Sequence, residues 1–95
     1  MNTGYITNNA GLVTVTLPAT AAVGQMVRIM GLGSGGWKLA QNASQYVTWD
    51  ESSATTTGVG GYLQSTDDHD AVELICTVTN NGWGVLSSKG NITIA

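Results

Sequence analysis

Residues that build solvent-facing helices are almost missing from this chain. Its 95 residues hold two Lys, one Arg and two Glu, against 13 Thr and 13 Gly. Long charged side chains are strong helix formers, whereas Gly costs about 1 kcal/mol relative to Ala in a helix interior. Thr, branched at Cβ, packs well on a pleated surface, and Gly and Asn supply turns. The composition therefore predicts an all-β fold. At 9.8 kDa the chain has room for one domain, spanning residues 1–95.

Alternation locates the strands. Leu12 to Leu17 interleaves apolar residues with Thr, placing Val13, Val15 and Leu17 on one face and Thr14 and Thr16 on the other. Pro18 ends that run, and Ala19 to Gly24 is the one stretch with room for a helical turn. Met26 to Met30 follows, with Val27 and Ile29 inward and Arg28 outward; then come Trp37 to Leu39 and, after an Asn42 to Gln45 turn, Tyr46 to Trp49. Asp50 to Gly61 reads as a long polar loop or weak edge strand, and Gly61 to Gln64 as a short strand. Ala71 to Thr79 and Trp83 to Leu86 flank Asn80-Asn81-Gly82, a strong hairpin signal because Asn and Gly tolerate positive φ. Ile92 and Ile94 close the chain. About eight short strands at this spacing predict a small antiparallel β-sandwich or β-prism, with Val13, Val15, Val27, Ile29, Leu39, Leu74, Val78 and Val85 in its core and no repeat of fixed period.

Met26 and Met30 oppose Val27 and Ile29, and Ile75 opposes Leu74, so two strands carry apolar residues on both faces. A sandwich of one chain buries one face per strand, and a chain this short buries a limited share of its surface. The pattern points to an oligomer.

Charge and motifs remove several function classes. A net charge of −3 with three basic residues offers no cationic face for phosphates, so no nucleic acid is expected. No apolar run approaches the ~18 residues of a membrane-spanning helix, and no membrane insertion is expected. A single Cys76 excludes an intrachain disulfide framework, and its place beside Leu74 and Val78 makes it a buried apolar residue. Gly31-Leu32-Gly33-Ser34-Gly35-Gly36 fits the dinucleotide fingerprint, but it leads into the alternating Trp37-Lys38-Leu39 instead of a helix and reads as a hairpin turn. Asp67-Asp68-His69-Asp70 gathers three carboxylates and the only His. Its plain reading is a solvated acidic turn and no cofactor; a divalent cation held by Asp68, His69 and Asp70 is the sharper alternative. Of the six aromatic residues, Trp37 and Trp83 are in phase with the core, and Tyr46, Trp49 and Tyr62 are the candidates for stacking on a sugar ring. Asp50, Asp67 and Asp70 are the polar candidates beside them.

Three segments carry a resemblance. Leu17-Pro18-Ala19-Thr20-Ala21-Ala22-Val23-Gly24-Gln25-Met26-Val27-Arg28-Ile29 resembles a phrase of bacteriophage tail-fibre and tailspike distal domains, in which a Thr-rich strand ends in Leu-Pro and a small-residue turn leads to a hydrophobic strand. Gly35 to Asn42 is similar to the Gly-Trp and Gln-Asn turn segment of that group, and Asp70 to Cys76 with Asn81 to Gly90 to its closing hairpin. The resemblance covers most of Leu12 to Ile94. It implies a non-enzymatic viral protein, a homotrimeric domain at the C-terminal tip of a longer fibre, extracellular on the virion. Such a domain attaches to the host through a cell-surface glycan or protein receptor, and no catalytic residue carries over from the family. The second expectation is a purely structural domain that trimerises or caps a fibre. A polysaccharide hydrolase using Asp50-Glu51 with the Asp67 to Asp70 loop is a third, and no sequence feature brings those carboxylates together.

Overall fold

The computed structural model describes residues 3–95; the first two residues of the amino-terminal segment lie outside the described residues. Nine strands form in chain order, and no helix is present among the described residues: β1 Thr3–Thr7, β2 Val13–Thr16, β3 Met26–Gly31, β4 Trp37–Ala40, β5 Tyr46–Thr48, β6 Tyr62–Gln64, β7 Ala71–Val78, β8 Gly82–Lys89 and β9 Thr93–Ile94. They make a five-stranded sheet of order β1-β3-β7-β8-β5 and a four-stranded sheet of order β2-β4-β6-β9.

The all-β expectation holds, and the purely antiparallel one does not. β1 pairs with β3, β2 with β4, and β5 with β8 in parallel. The reason lies in the connections. The chain changes sheet at every connection except the β7–β8 hairpin, so most consecutive strands cannot be ladder neighbours. The extra strand is β1, whose Gly4 and flanking Asn residues hide its alternation.

The first four strands wind as two stacked coils. Thr3 pairs with Val27 and Thr7 with Gly31 in one sheet, while Val13 pairs with Trp37 and Thr16 with Ala40 in the other. Every pair is offset by 24 positions, a structural period that the side chains do not repeat. The 31–36 segment is accordingly a sheet-crossing corner and not a hairpin turn. It lies directly on the corner of the coil before it: Leu32 N–H donates to Thr7 O at 2.7 Å and Gly35 N–H to Asn9 O at 3.0 Å. A Cβ on Gly35 would sit 2.1 Å from Gly11 O, and one on Gly33 2.3 Å from Asn9 N. Close backbone approach, not phosphate binding, is what these glycines serve.

One core lies between the sheets, built from Leu17, Ala21, Val27, Ile29, Trp37, Leu39, Val47, Leu63, Val72, Leu74, Cys76, Trp83 and Ile92. Trp37, Trp83 and Cys76 are buried as the alternation predicts. Val13 is half-buried, and Val15 and Val85 pack on the core from its margin. Val78 departs from expectation and is 47 % exposed, because a bulge between Cys76 and Val78 shifts the ladder to β8. Ala19 to Gly24 forms turns, pinned to the hairpin by Ala21 N–H donating to Asn80 Oδ1 and Asn80 N–H to Ala21 O, both at 2.8 Å.

The corner packing makes a simple comparison. Gly35→Ala should destabilise the fold by at least about 2 kcal/mol, since overpacking against backbone cannot relax cheaply. Gly60→Ala, where an added Cβ meets nothing within 4 Å, should stay within about 0.5 kcal/mol. Urea unfolding of the two variants measures both.

Candidate functional site

A concave surface lies on the outside of the five-stranded sheet. Alternation in β1, β3, β7 and β8 turns Val27, Ile29, Val72 and Leu74 inward, so their neighbours form rows across the outer face. One row reads Ile6, Met30, Ala71, Lys89; the next reads Gly4, Arg28, Glu73, Ser87; a third continues through Met26, Ile75 and Gly84. The small residues Gly4 and Ala71 leave an open groove of about 510 Å³ over the first two rows. Ile6, at 71 % exposure, stands as one wall. Arg28 Nε donates to Glu73 Oε2 across the floor, and Ser87 Oγ lies 3.5 Å from Glu73 Oε1. The Arg28 side chain is 58 % exposed, so the pair adds little stability. Its effect is to neutralise the one carboxylate on this face.

The outer face of the four-stranded sheet has a different chemistry. Its rows are Thr14, Lys38, Gln64, Thr93 and Thr16, Ala40, Tyr62. Lys38 Nζ lies 4.3 Å from the Tyr62 ring centroid, a cation–π contact worth about 0.5–1 kcal/mol on a surface. Hydroxyls, an amide, an ammonium and a ring thus share one surface.

The three aromatic candidates do not form one site. Tyr62 is on that outer face, whereas Tyr46 projects from β5 on the outside of the opposite sheet, because Val47 between Tyr46 and Thr48 points inward. Trp49 packs against the core. Asp50, on the exposed turn after β5, spends its Oδ1 on the N–H groups of Ser52 and Ser53, both at 2.8 Å.

The acidic loop is a structural corner. Asp70 is 3 % exposed, and its Oδ2 accepts from Thr66 N–H at 2.9 Å, Asp67 N–H at 3.0 Å and Thr66 Oγ1 at 3.2 Å. Its backbone carbonyl accepts from Trp37 Nε1 at 2.9 Å. Asp67, Asp68 and His69 are exposed, with His69 at φ 67°. Among the described residues no three His, Cys, Asp or Glu side chains converge where a metal ion could sit. Asp68, His69 and Asp70 are thus not brought together as a ligand set, because Asp70 is turned inward to hold its own loop.

Sequence reasoning missed a polar cluster at the other end of the sandwich. Gln41 and Gln45 are 3 % and 1 % exposed, and Thr55 is 5 %. Gln41 Nε2 donates to the carbonyls of Gln45, Thr56 and Gly58 at 2.9–3.0 Å, while its Oε1 accepts from Thr55 Oγ1. Gln45 Nε2 donates to Pro18 O at 2.8 Å and Asn80 O at 3.0 Å, and its Oε1 accepts from Asn42 N–H at 2.7 Å. No local pattern marks these two glutamines, since they satisfy backbone groups far away in sequence. The Arg28–Glu73 pair did leave a signal: each is the only charge on its strand, and alternation puts both outward.

No family model and no curated protein matches this chain.

Two substitutions test these assignments. Gln41→Leu keeps the shape but takes from Thr56 O its side-chain donor and from the Thr55 hydroxyl its acceptor, while Gln45 O and Gly58 O keep the N–H groups of Gly58 and Gly61; it should cost about 2–3 kcal/mol in chemical unfolding. Thr7→Val should be neutral or slightly stabilising, because the buried Thr7 Oγ1 has no hydrogen-bond partner among the described residues.

Proposed function

We propose that this chain is a non-enzymatic attachment domain of a bacteriophage tail fibre, a homotrimer displayed on the virion that binds a host cell-surface glycan or protein receptor. The observation that carries the reading is the unlike chemistry of the two outer sheet faces. The face of the five-stranded sheet is apolar and neutralised, which suits contact between chains. That of the four-stranded sheet, with Lys38, Gln64, Thr14, Thr16 and Thr93, offers hydrogen-bonding groups for the hydroxyls of a pyranose, and the Tyr62 ring takes its apolar side once the Lys38 ammonium swings off it. The resemblance of Leu17 to Ile29 and of the closing hairpin to fibre distal domains supports the same reading. On a trimer, three weak sites facing a surface of repeated glycans gain by avidity, with no strong single contact needed.

Light scattering coupled to size exclusion should give a mass near three times the 9.8 kDa of the chain. On a bacterial glycan array, Tyr62→Ala should weaken retention about tenfold, the loss of about 1.4 kcal/mol of contact, without changing the unfolding midpoint. Trp49→Ala should instead lower that midpoint, because Trp49 packs on the core. A monomer, or a trimer that retains no glycan and adsorbs to no host surface, overturns the receptor reading; the trimer without ligand is then a cap.

A further inference from the structure

We infer that the outer face of the five-stranded sheet, with its groove, is closed by a second copy of this chain. The inference rests on the self-assembly in the reading above and names the surface that performs it.

Charge is the first argument. The chain is acidic, with a net charge of −3, so two copies repel unless they meet where the acidic excess is absent. The exposed carboxylates of Asp50, Glu51, Asp67 and Asp68 all lie on loops. The outer face of the five-stranded sheet carries one carboxylate, Glu73, and Arg28 of the same chain neutralises it. A second copy can therefore cover the centre of the face without stranding a charge, while Lys89 remains at the rim. The two charges at the centre of the face are already paired with each other, so a second copy meets a neutral unit there, and the one unpaired charge stays at the rim, where interfaces are polar.

Apolar content is the second. Ile6, Met30 and Ala71 are contiguous through the ladder, and Met26 and Ile75 pair on the other side of the Arg28–Glu73 row, on strands whose opposite faces already fill the core. Other exposed apolar residues, such as Val23 and Val59, sit on loops. Single exposed apolar residues need no explanation, whereas a contiguous patch with a groove does.

Size is the third. At roughly 3.3 Å per residue and 4.8 Å between strands, the five strands project about 500 Å². Side-chain relief raises the accessible area toward the ~800 Å² per partner of a standard interface. The partner must be concave-filling as well as flat, since the groove over Gly4 and Ala71 admits an apolar side chain from the other copy.

Sedimentation equilibrium of the full chain tests the inference with three variants. Ile6→Asp puts an uncompensated charge at the wall of the groove and should weaken self-association at least about a hundredfold, with an unchanged circular dichroism spectrum. Ser87→Lys, whose ammonium can pair with Glu73 inside the same chain, should do the same by filling the groove, and serves if Ile6→Asp does not fold. Val59→Asp, on a loop away from the face, should associate as the parent does. A parent that assembles while Ile6→Asp and Ser87→Lys assemble equally well places the interface elsewhere and overturns the inference, leaving the trimer standing. A parent that stays monomeric at every concentration overturns both.

Discussion

Because successive strands alternate between sheets everywhere but at the β7–β8 hairpin, the other connections of this fold cannot be tight hairpins that satisfy their own backbone. Each corner leaves one ladder for another, and the peptide groups it carries past the core need partners from elsewhere. Four polar residues answer that need. Gln41 and Gln45 gather the carbonyls of four separate segments at one end, Asp70 collects the N–H groups of its own loop at the other, and Asn80 ties the 19–24 turns to the hairpin. At the 31–36 corner the solution is different: side chains are dispensed with, and glycine backbone lies on the backbone of the preceding corner. A domain with 9 % charged residues thus ties its corners around the core through amides and close approach, with one ion pair among the described residues.

This arrangement has a functional consequence. With the corners stabilised from inside, the sheet faces are left to vary in chemistry without disturbing the fold. One face is apolar with its lone carboxylate neutralised; the other carries hydroxyls, an amide and a ring under an ammonium. The proposed assembly through the first and recognition through the second is a division that a trimeric attachment domain needs, since a surface buried between copies is lost to a receptor.

The acidic loop shows how local composition misleads. Three carboxylates and a histidine in four residues look like ligands, yet the loop needs one carboxylate as an internal anchor, and turning Asp70 inward separates it from its exposed neighbours. Similarly, the aromatic trio is a set only on paper. Trp49 lies against the core, while Tyr46 and Tyr62 occupy outer faces of different sheets. What one strand does with its two faces was readable; which faces end up side by side was not.

The sequence by itself determined the all-β class, the inward positions of Val27, Ile29, Trp37, Leu39, Leu74 and Trp83, the burial of Cys76 and the hairpin at Asn80 to Gly82. Those follow from period-two alternation and from the φ preferences of Asn and Gly, both local properties. Tertiary structure alone decided sheet membership, the parallel pairs, the 24-residue winding and the roles of Gln41, Gln45 and Asp70. The physical reason is that alternation states that a strand has an inside, and says nothing about which neighbour supplies its hydrogen bonds. Buried amides and carboxylates, likewise, are chosen for backbone groups that only the folded chain brings within reach.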